Sequence, residues 1–115
     1  MLACTAGTSQ QLNATGCILV LEDIGEYAYR VDRALQQLRS AGVLAGVAGV
    51  AVGQFVDCHV PPSADWSIET LLRDHLEPLG VPVVGGLPIG HGAANRAFVM
   101  GQNAHIHDGT LTLDS

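Results

Sequence analysis

The stretch CILVLEDIGE, residues 17 to 26, decides the fold of this chain. Residues 17 to 21 form a continuous run of β-branched and aliphatic side chains, which is typical of a strand buried on both faces of a sheet. Apolar residues then recur with helical spacing from Ile24 to Leu38, and Gly42 stops the pattern. The sequence therefore predicts a buried strand that leads directly into a helix over residues 24 to 41.

The middle of the chain repeats this alternation of strand and helix. Residues 47 to 52, with Phe55 and Val56 beyond them, predict a second buried strand. Ser67 is placed to cap a second helix, which ends before Pro78.

The two ends of the chain are less regular. Residues 1 to 15 show no clear period, and we expect a leading strand or an extended arm there. Residues 81 to 84 predict a short third strand. Residues 104 to 107 and 110 to 113 flank Asp108-Gly109, which is a strong two-residue hairpin signal. We therefore expect an α/β fold with a mixed sheet and a C-terminal antiparallel hairpin.

Composition excludes several classes of partner. The formal charge is −6, and the 5 basic residues are all arginines without a cluster that would neutralise nucleic acid. The 3 cysteines contain no CxxC pair, so their spacing indicates neither a disulfide framework nor a thiolate zinc site. The longest apolar run, residues 41 to 52, is interrupted by glycines and is too short to span a membrane. We expect a cytoplasmic protein with no nucleic-acid or membrane partner.

The fraction of charged residues is low. It is 14%, against about 25% in soluble domains generally. Either part of the surface packs against another unit, or the many glycines and alanines raise the apolar fraction.

Three carboxylates stand at the junction between the first predicted strand and the helix. Asp23 at the start of the predicted helix and Glu26 three residues later resemble an acidic capping box, which explains both without any function. Glu22 is the last residue of the strand, and catalytic groups collect at the carboxyl ends of strands in α/β folds. Its alternative interpretation is a solvent-exposed strand end.

His91 stands between Gly90 and Gly92, where the chain can turn sharply and another molecule can approach. It is a candidate general base, a role that needs a second group, usually a carboxylate, to fix the imidazole tautomer. The alternative is a histidine that stabilises the turn by bonding to the backbone. Glu22 lies 69 residues upstream, so only the fold can bring the two side chains together.

Metal binding is a rival hypothesis. His105 and His107 alternate with Ile106, so both imidazoles lie on one face of a strand, and His59 or His91 would complete a site. The alternative is an exposed hairpin face with two polar positions.

Three segments together resemble a known family. They are LEDIGEYAYRVDRALQQLRSAGVL (21–44), GVAVGQF (49–55) and VPVVGGLPIGHGAANRAFVMGQNAHI (81–106). In this order they resemble the C-terminal domain of the LD-carboxypeptidases, the serine peptidases of peptidoglycan recycling, which are related to the microcin C immunity peptidases. The resemblance runs from about residue 16 to residue 113 and implies a small layered β/β/α domain of the swivelling type.

The resemblance also implies roles for individual residues. The family uses a Ser-His-Glu triad without a metal or cofactor. Glu22 matches the acidic residue of the family's LED motif, and His91 matches the histidine of its GH motif. Tyr29 and Arg33 match the family helix, where their spacing favours a structural role. The implied reaction is hydrolysis of the amide that joins an L-configured centre to the terminal D-alanine of a muropeptide tetrapeptide; a microcin C immunity-like peptidase is the alternative.

The family's nucleophile domain has no counterpart here. None of the serines stands in a strand-turn-helix elbow. We therefore expect residues 1–115 to be one domain, the C-terminal half of such an enzyme, and to be inactive alone. Its expected partners are its own N-terminal domain, a muropeptide and a second copy in a homodimer. A non-catalytic interaction module with the same fold is a further alternative.

Overall fold

The computed structural model describes residues 1–115, which form two α-helices, two short 3₁₀ helices and two sheets. Strands β1, β2 and β3 form a parallel sheet in that order, and β4 and β5 form a separate antiparallel hairpin. The α/β class and the terminal hairpin are confirmed, with the parallel and antiparallel pairs in two sheets rather than in one mixed sheet. The elements are β1 (Ile18–Ile24), α1 (Ala28–Ser40), β2 (Gly49–Val56), α2 (Ile68–Leu76), β3 (Val83–Val84), β4 (Ala104–His107) and β5 (Thr110–Leu113).

One hydrophobic cluster joins β1, α1, β2 and α2. It contains 15 buried residues, all between Ala14 and Leu76, and Val50 in the central strand is fully buried. The chain beyond Val84 contributes no buried residue. The last quarter of the chain is therefore attached to the surface of this core.

The first helix begins later than the sequence predicts. β1 continues to Ile24, which pairs with Val56 of β2, and α1 begins at Ala28 with Tyr27 as an N-cap whose side chain makes no cap bond. The predicted Asp23–Glu26 capping box is therefore wrong. Hydrogen bonds to the neighbouring strand keep these residues extended, and they outweigh the local capping signal.

The cap of the second helix is confirmed. The Ser67 hydroxyl accepts a hydrogen bond from the backbone N–H of Thr70 at 3.2 Å, and the Thr70 side chain bonds back to the Ser67 backbone. Inside the helix pair, the buried His75 places its Nε2 2.7 Å from Oδ1 of Asp32, and Arg39 donates to the His75 carbonyl oxygen at 2.8 Å. These contacts fix α2 against α1.

The first 15 residues do not add a strand. Leu2–Thr5 form a short 3₁₀ helix, and Leu2 and Ala3 pack against the hydrophobic cluster. The predicted leading strand is wrong because the backbone bonds of this segment are local, such as that from Cys4 N–H to the Met1 carbonyl oxygen at 2.9 Å. No helix in the structure has the length and apolar composition needed to cross a bilayer.

Candidate active site

Glu22 lies at an irregularity in the parallel sheet. Leu21 pairs with Val52, and Asp23 pairs with Phe55. One residue of β1, Glu22, therefore lies opposite two residues of β2, which are Gly53 and Gln54. Such a bulge changes the direction of side chains and is frequent beside active sites. It leaves the Glu22 side chain 32% exposed near the carboxyl end of β1.

The loop that carries His91 runs along the same part of β2. Leu87 N–H donates to the carbonyl oxygen of Val52 at 3.2 Å, and Gln54 N–H donates to that of Ile89 at 2.8 Å. The Gln54 side chain accepts a hydrogen bond from Gly92 N–H at 2.9 Å. These bonds hold the loop beside the bulge, so His91 lies next to Glu22.

Two glycines permit this close approach. A Cβ atom at Gly53 would overlap the carbonyl oxygen of Ile89. A Cβ at Gly90 would lie 2.9 Å from Oε2 of Glu22, and the Gly90 φ of +123° is unfavourable for any other residue. Glycine is therefore required at position 90 for two reasons, which are the lack of space for a Cβ atom and the positive φ.

The structure brings Glu22 and His91 into direct contact. His91 Nδ1 lies 2.9 Å from Glu22 Oε2. A carboxylate at this distance favours the tautomer with hydrogen on Nδ1, which leaves the Nε2 lone pair free to accept a proton. The His91 side chain is 52% exposed, so a substrate or another protein segment can reach Nε2.

A comparison with known proteins decides the family. The family model of the LD-carboxypeptidase C-terminal domain matches residues 1–106. The chain belongs to this family. It is 40% identical over 111 residues to the murein tetrapeptide carboxypeptidase of Pseudomonas aeruginosa, an alignment that covers 96% of the chain and 36% of the relative. The chain thus spans about a third of the length of the curated relatives it matches.

Solved structures agree with this assignment. The muramoyltetrapeptide carboxypeptidase of Oxalobacter formigenes superposes with a TM-score of 0.81 at 34% identity, over 98% of this chain and 41% of that one. The microcin C7 self immunity protein MccF superposes with a TM-score of 0.59 at 19% identity, over 73% and 25%. At that identity, the second match shows that the fold is shared.

Glu26 and Tyr29, two other residues noted in the sequence of this LD-carboxypeptidase C-terminal domain, make no hydrogen bond or ion pair with Glu22 or His91. Glu26 approaches Arg30 at 3.6 Å, and the Tyr29 hydroxyl accepts a hydrogen bond from Arg30 at 3.3 Å. Tyr29 also stacks on Tyr27, with 6.0 Å between ring centroids. Tyr29 therefore contacts Arg30 and Tyr27.

The histidines of the hairpin do not converge on a common point. His105 Nε2 lies 3.4 Å from Asp114 Oδ1, and His107 Nδ1 lies 3.2 Å from Asp108 Oδ2. His59 packs instead against the Tyr27 ring. No group of three or more His, Cys, Asp or Glu side chains is arranged to hold a metal ion. The geometry of the LD-carboxypeptidase C-terminal domain does not support the rival metal site.

No nucleophile accompanies the Glu22–His91 contact within the described residues. None of the serines hydrogen-bonds to His91. Burial raises the pKa of the Cys58 thiol, and the neighbouring carboxylates add to the effect, which disfavours the nucleophilic thiolate form. The serines are Ser9, Ser40, Ser63, Ser67 and Ser115.

A large groove lies elsewhere on the domain. Its volume is about 840 Å³, and it lies between α1, α2 and the segment of residues 59–66. Its walls are mainly aromatic, proline and acidic residues: Tyr27, Tyr29, His59, Pro61, Pro62, Trp66, Asp32 and Asp74. Neither Glu22 nor His91 lines it. The Glu22–His91 contact is the candidate site because an imidazole and a carboxylate meet there at 2.9 Å.

Sequence reasoning missed Gln54. The Gln54 side-chain amide holds the His91 loop. In the sequence, the one feature that distinguishes Gln54 is its position directly after Gly53, near the end of a buried strand. Neither residue type nor spacing indicates such a contact.

Proposed function

We propose that this domain supplies the glutamate and histidine of a Ser-His-Glu triad to an LD-carboxypeptidase that releases D-alanine from muropeptide tetrapeptides. The observation that carries the proposal is the 2.9 Å contact between His91 Nδ1 and Glu22 Oε2. The names of similar proteins, a murein tetrapeptide carboxypeptidase and a muramoyltetrapeptide carboxypeptidase, support the choice of substrate.

His91 acts first as a general base. Its Nε2 removes the hydroxyl proton of a serine, and the serine oxygen attacks the carbonyl carbon that precedes the terminal D-alanine. The imidazole becomes a cation, and the Glu22 carboxylate stabilises that cation through the Nδ1–H bond.

His91 then acts as a general acid. The tetrahedral intermediate breaks at its C–N bond, and Nε2 returns the proton to the leaving amino group of D-alanine. A water molecule, deprotonated in the same way, attacks the acyl-enzyme and restores the serine hydroxyl. Each half-reaction returns the imidazole to its starting state.

The serine comes from a part of the enzyme outside this chain. Relatives are about three times as long as the residues described, which leaves room for a nucleophile domain. We propose that this N-terminal domain and the muropeptide are the partners of the Glu22–His91 surface, and that the reaction takes place in the cytoplasm. The 115-residue chain alone should release no D-alanine.

Amide substitutions in the whole protein test the triad. Glu22→Gln and His91→Gln preserve side-chain size but remove the carboxylate and the imidazole. Release of D-alanine from a muropeptide tetrapeptide should fall by about 10³- to 10⁴-fold in each variant, because the triad residues act as a unit.

Glu26→Gln is the matched control. Its carboxylate lies in the same segment but contacts Arg30, so D-alanine release should stay within about two-fold of the unmodified protein. Equal losses for Glu22→Gln and Glu26→Gln would show that the wrong carboxylate has been chosen. D-alanine release by the 115-residue chain alone, at a rate lost in His91→Gln, would contradict the need for an external serine.

A further inference from the structure

Gln54 is bonded to the loop on both sides of His91. Its backbone N–H donates to the carbonyl oxygen of Ile89 at 2.8 Å, two residues before the histidine. Its side-chain Oε1 accepts from Gly92 N–H at 2.9 Å, one residue after it. A single residue of β2 therefore fixes the backbone that enters and leaves His91.

The same residue lies opposite Glu22. The β-bulge places Gly53 and Gln54 across from Glu22, so the orienting carboxylate and the loop anchor share one irregularity of the sheet. A Cβ on Gly90 would lie 2.9 Å from Glu22 Oε2 and 3.4 Å from the Gln54 carbonyl oxygen. The loop thus passes between the carboxylate and the anchor with no spare space.

The other bond beside His91 is local to the loop. Gly90 N–H donates to Asn95 Oδ1 at 3.3 Å, and Asn95 belongs to the same irregular segment. Asn95 can shape the turn, but it cannot tie the turn to the sheet. The side-chain connection between His91's flanking backbone and the strand that carries the bulge is made by Gln54.

We propose that Gln54 is a positioning residue that holds His91 in register with Glu22. The expected change in turnover rests on the proposed function. The expected changes in the His91 tautomer and in the Gly92 amide rest on geometry alone. Loss of the side-chain bond would free Gly92 and let the imidazole move away from the carboxylate. A displacement of about 1 Å at such a position reduces turnover by about 100-fold.

Two substitutions separate the acceptor of Gln54 from its donor. Gln54→Leu keeps the size and the backbone bond to Ile89 but removes the acceptor for Gly92 N–H. Gln54→Glu keeps an acceptor oxygen and removes the Nε2–H group, which has no partner within the chain. Gln37→Leu is the matched control, because Gln37 lies exposed on α1 and its side chain makes no hydrogen bond.

The first measurement is made on the chain itself and needs no activity. The ¹⁵N chemical shifts of the His91 ring, recorded where the imidazole is neutral, report which nitrogen carries hydrogen. The unmodified chain, Gln37→Leu and Gln54→Glu should show mainly hydrogen on Nδ1, and Gln54→Leu should show a mixture of both tautomers. Amide exchange of Gly92 should be at least about ten-fold faster in Gln54→Leu.

The second measurement is turnover by the whole protein. Gln54→Leu should lower kcat by about 10- to 100-fold with KM within about two-fold, while Gln54→Glu should stay within about five-fold of the unmodified enzyme. Equal losses in both variants would overturn the inference, since an acceptor oxygen at position 54 would then not be sufficient to hold the loop.

An unchanged His91 tautomer in Gln54→Leu would also overturn the inference, whatever the rate. The failure of the proposed function has a different signature. Full activity in Glu22→Gln or His91→Gln would refute the triad, whereas the tautomer and exchange measurements would still decide the role of Gln54.

Discussion

Alanine at position 90 would test how closely the loop and the carboxylate fit together. The added methyl carbon would lie 2.9 Å from Oε2 and 3.3 Å from Cβ of Glu22. The flexible end of Glu22 is the part able to move, so relief of the overlap would carry its carboxylate away from His91. The same substitution forces a residue with a Cβ into a backbone conformation of φ +123°.

The two effects differ in size and in what they change. The backbone strain should lower the free energy of unfolding by about 1 to 3 kcal/mol. At about 4 °C per kcal/mol for a domain of this size, Tm should fall by about 4 to 12 °C. The displaced carboxylate should reduce turnover by about 100-fold, because the imidazole loses its orienting partner.

Two glycines in the same loop provide the controls. Gly85 has an ordinary φ, and no atom lies within 4 Å of the position that a methyl carbon would take there, so Gly85→Ala should change neither property. Gly86 has a φ of +71° but equally open surroundings, so Gly86→Ala should lower stability by about 1 to 2 kcal/mol and leave turnover unchanged. Only Gly90→Ala combines strain with displacement of Glu22.

Urea unfolding of the chain and D-alanine release by the whole protein measure the two properties separately. Gly90→Ala should be defective in both assays at a temperature where the protein remains folded. If Gly86→Ala lost as much turnover as Gly90→Ala, backbone strain alone would explain the effect, and the role given to the Glu22 overlap would be refuted. Normal turnover in a folded Gly90→Ala protein would refute it as well.

Two further predictions concern other parts of the chain. Ser67→Ala should lower the free energy of unfolding by about 1 kcal/mol because the cap of α2 is lost. Ser63→Ala removes no hydrogen bond and should change this free energy little. Urea unfolding measures both variants, and equal effects would contradict the assignment of the cap. The raised pKa of the Cys58 thiol leaves less thiolate at any pH below it, so iodoacetamide should label Cys58 more slowly than the exposed Cys4 and Cys17 at pH 7.5, with a smaller difference at pH 9.5. Mass spectrometry of tryptic peptides measures these rates, and faster labelling of Cys58 would contradict its burial.

The features that sequence predicted correctly are those that local chemistry determines. Asp108-Gly109 closes the hairpin where expected, because a two-residue turn depends on its own backbone conformation. Ser67 caps α2 for the same kind of reason, since donor and acceptor lie three residues apart. Short-range rules were sufficient in both cases.

The start of α1 was predicted wrongly because a distant strand determines it. Ile24 fits a helical stripe, yet it pairs with Val56, which is 32 positions later in the chain. The hydrogen bonds of that pairing come from a segment that no local window includes. Periodicity identified the helix, and strand pairing set where it begins.

The contact between Glu22 and His91 was predictable by residue type and not by geometry. Glu22 stood at a strand end and His91 between glycines, which marked each as a candidate. Their contact depends on the bulge and on Gln54, and neither a shifted register nor an amide that accepts from Gly92 has a sequence signature.

The distribution of buried residues has a consequence for heating. Glu22 belongs to a strand of the hydrophobic cluster, whereas His91 belongs to a part of the chain that buries no residue and is tied down by a few hydrogen bonds. Segments of this kind open at a lower free-energy cost than the core beneath them. Heating the 115-residue chain should therefore loosen the segment around His91 before the sheet melts, and cooling should restore its contact with Glu22 without refolding of the sheet.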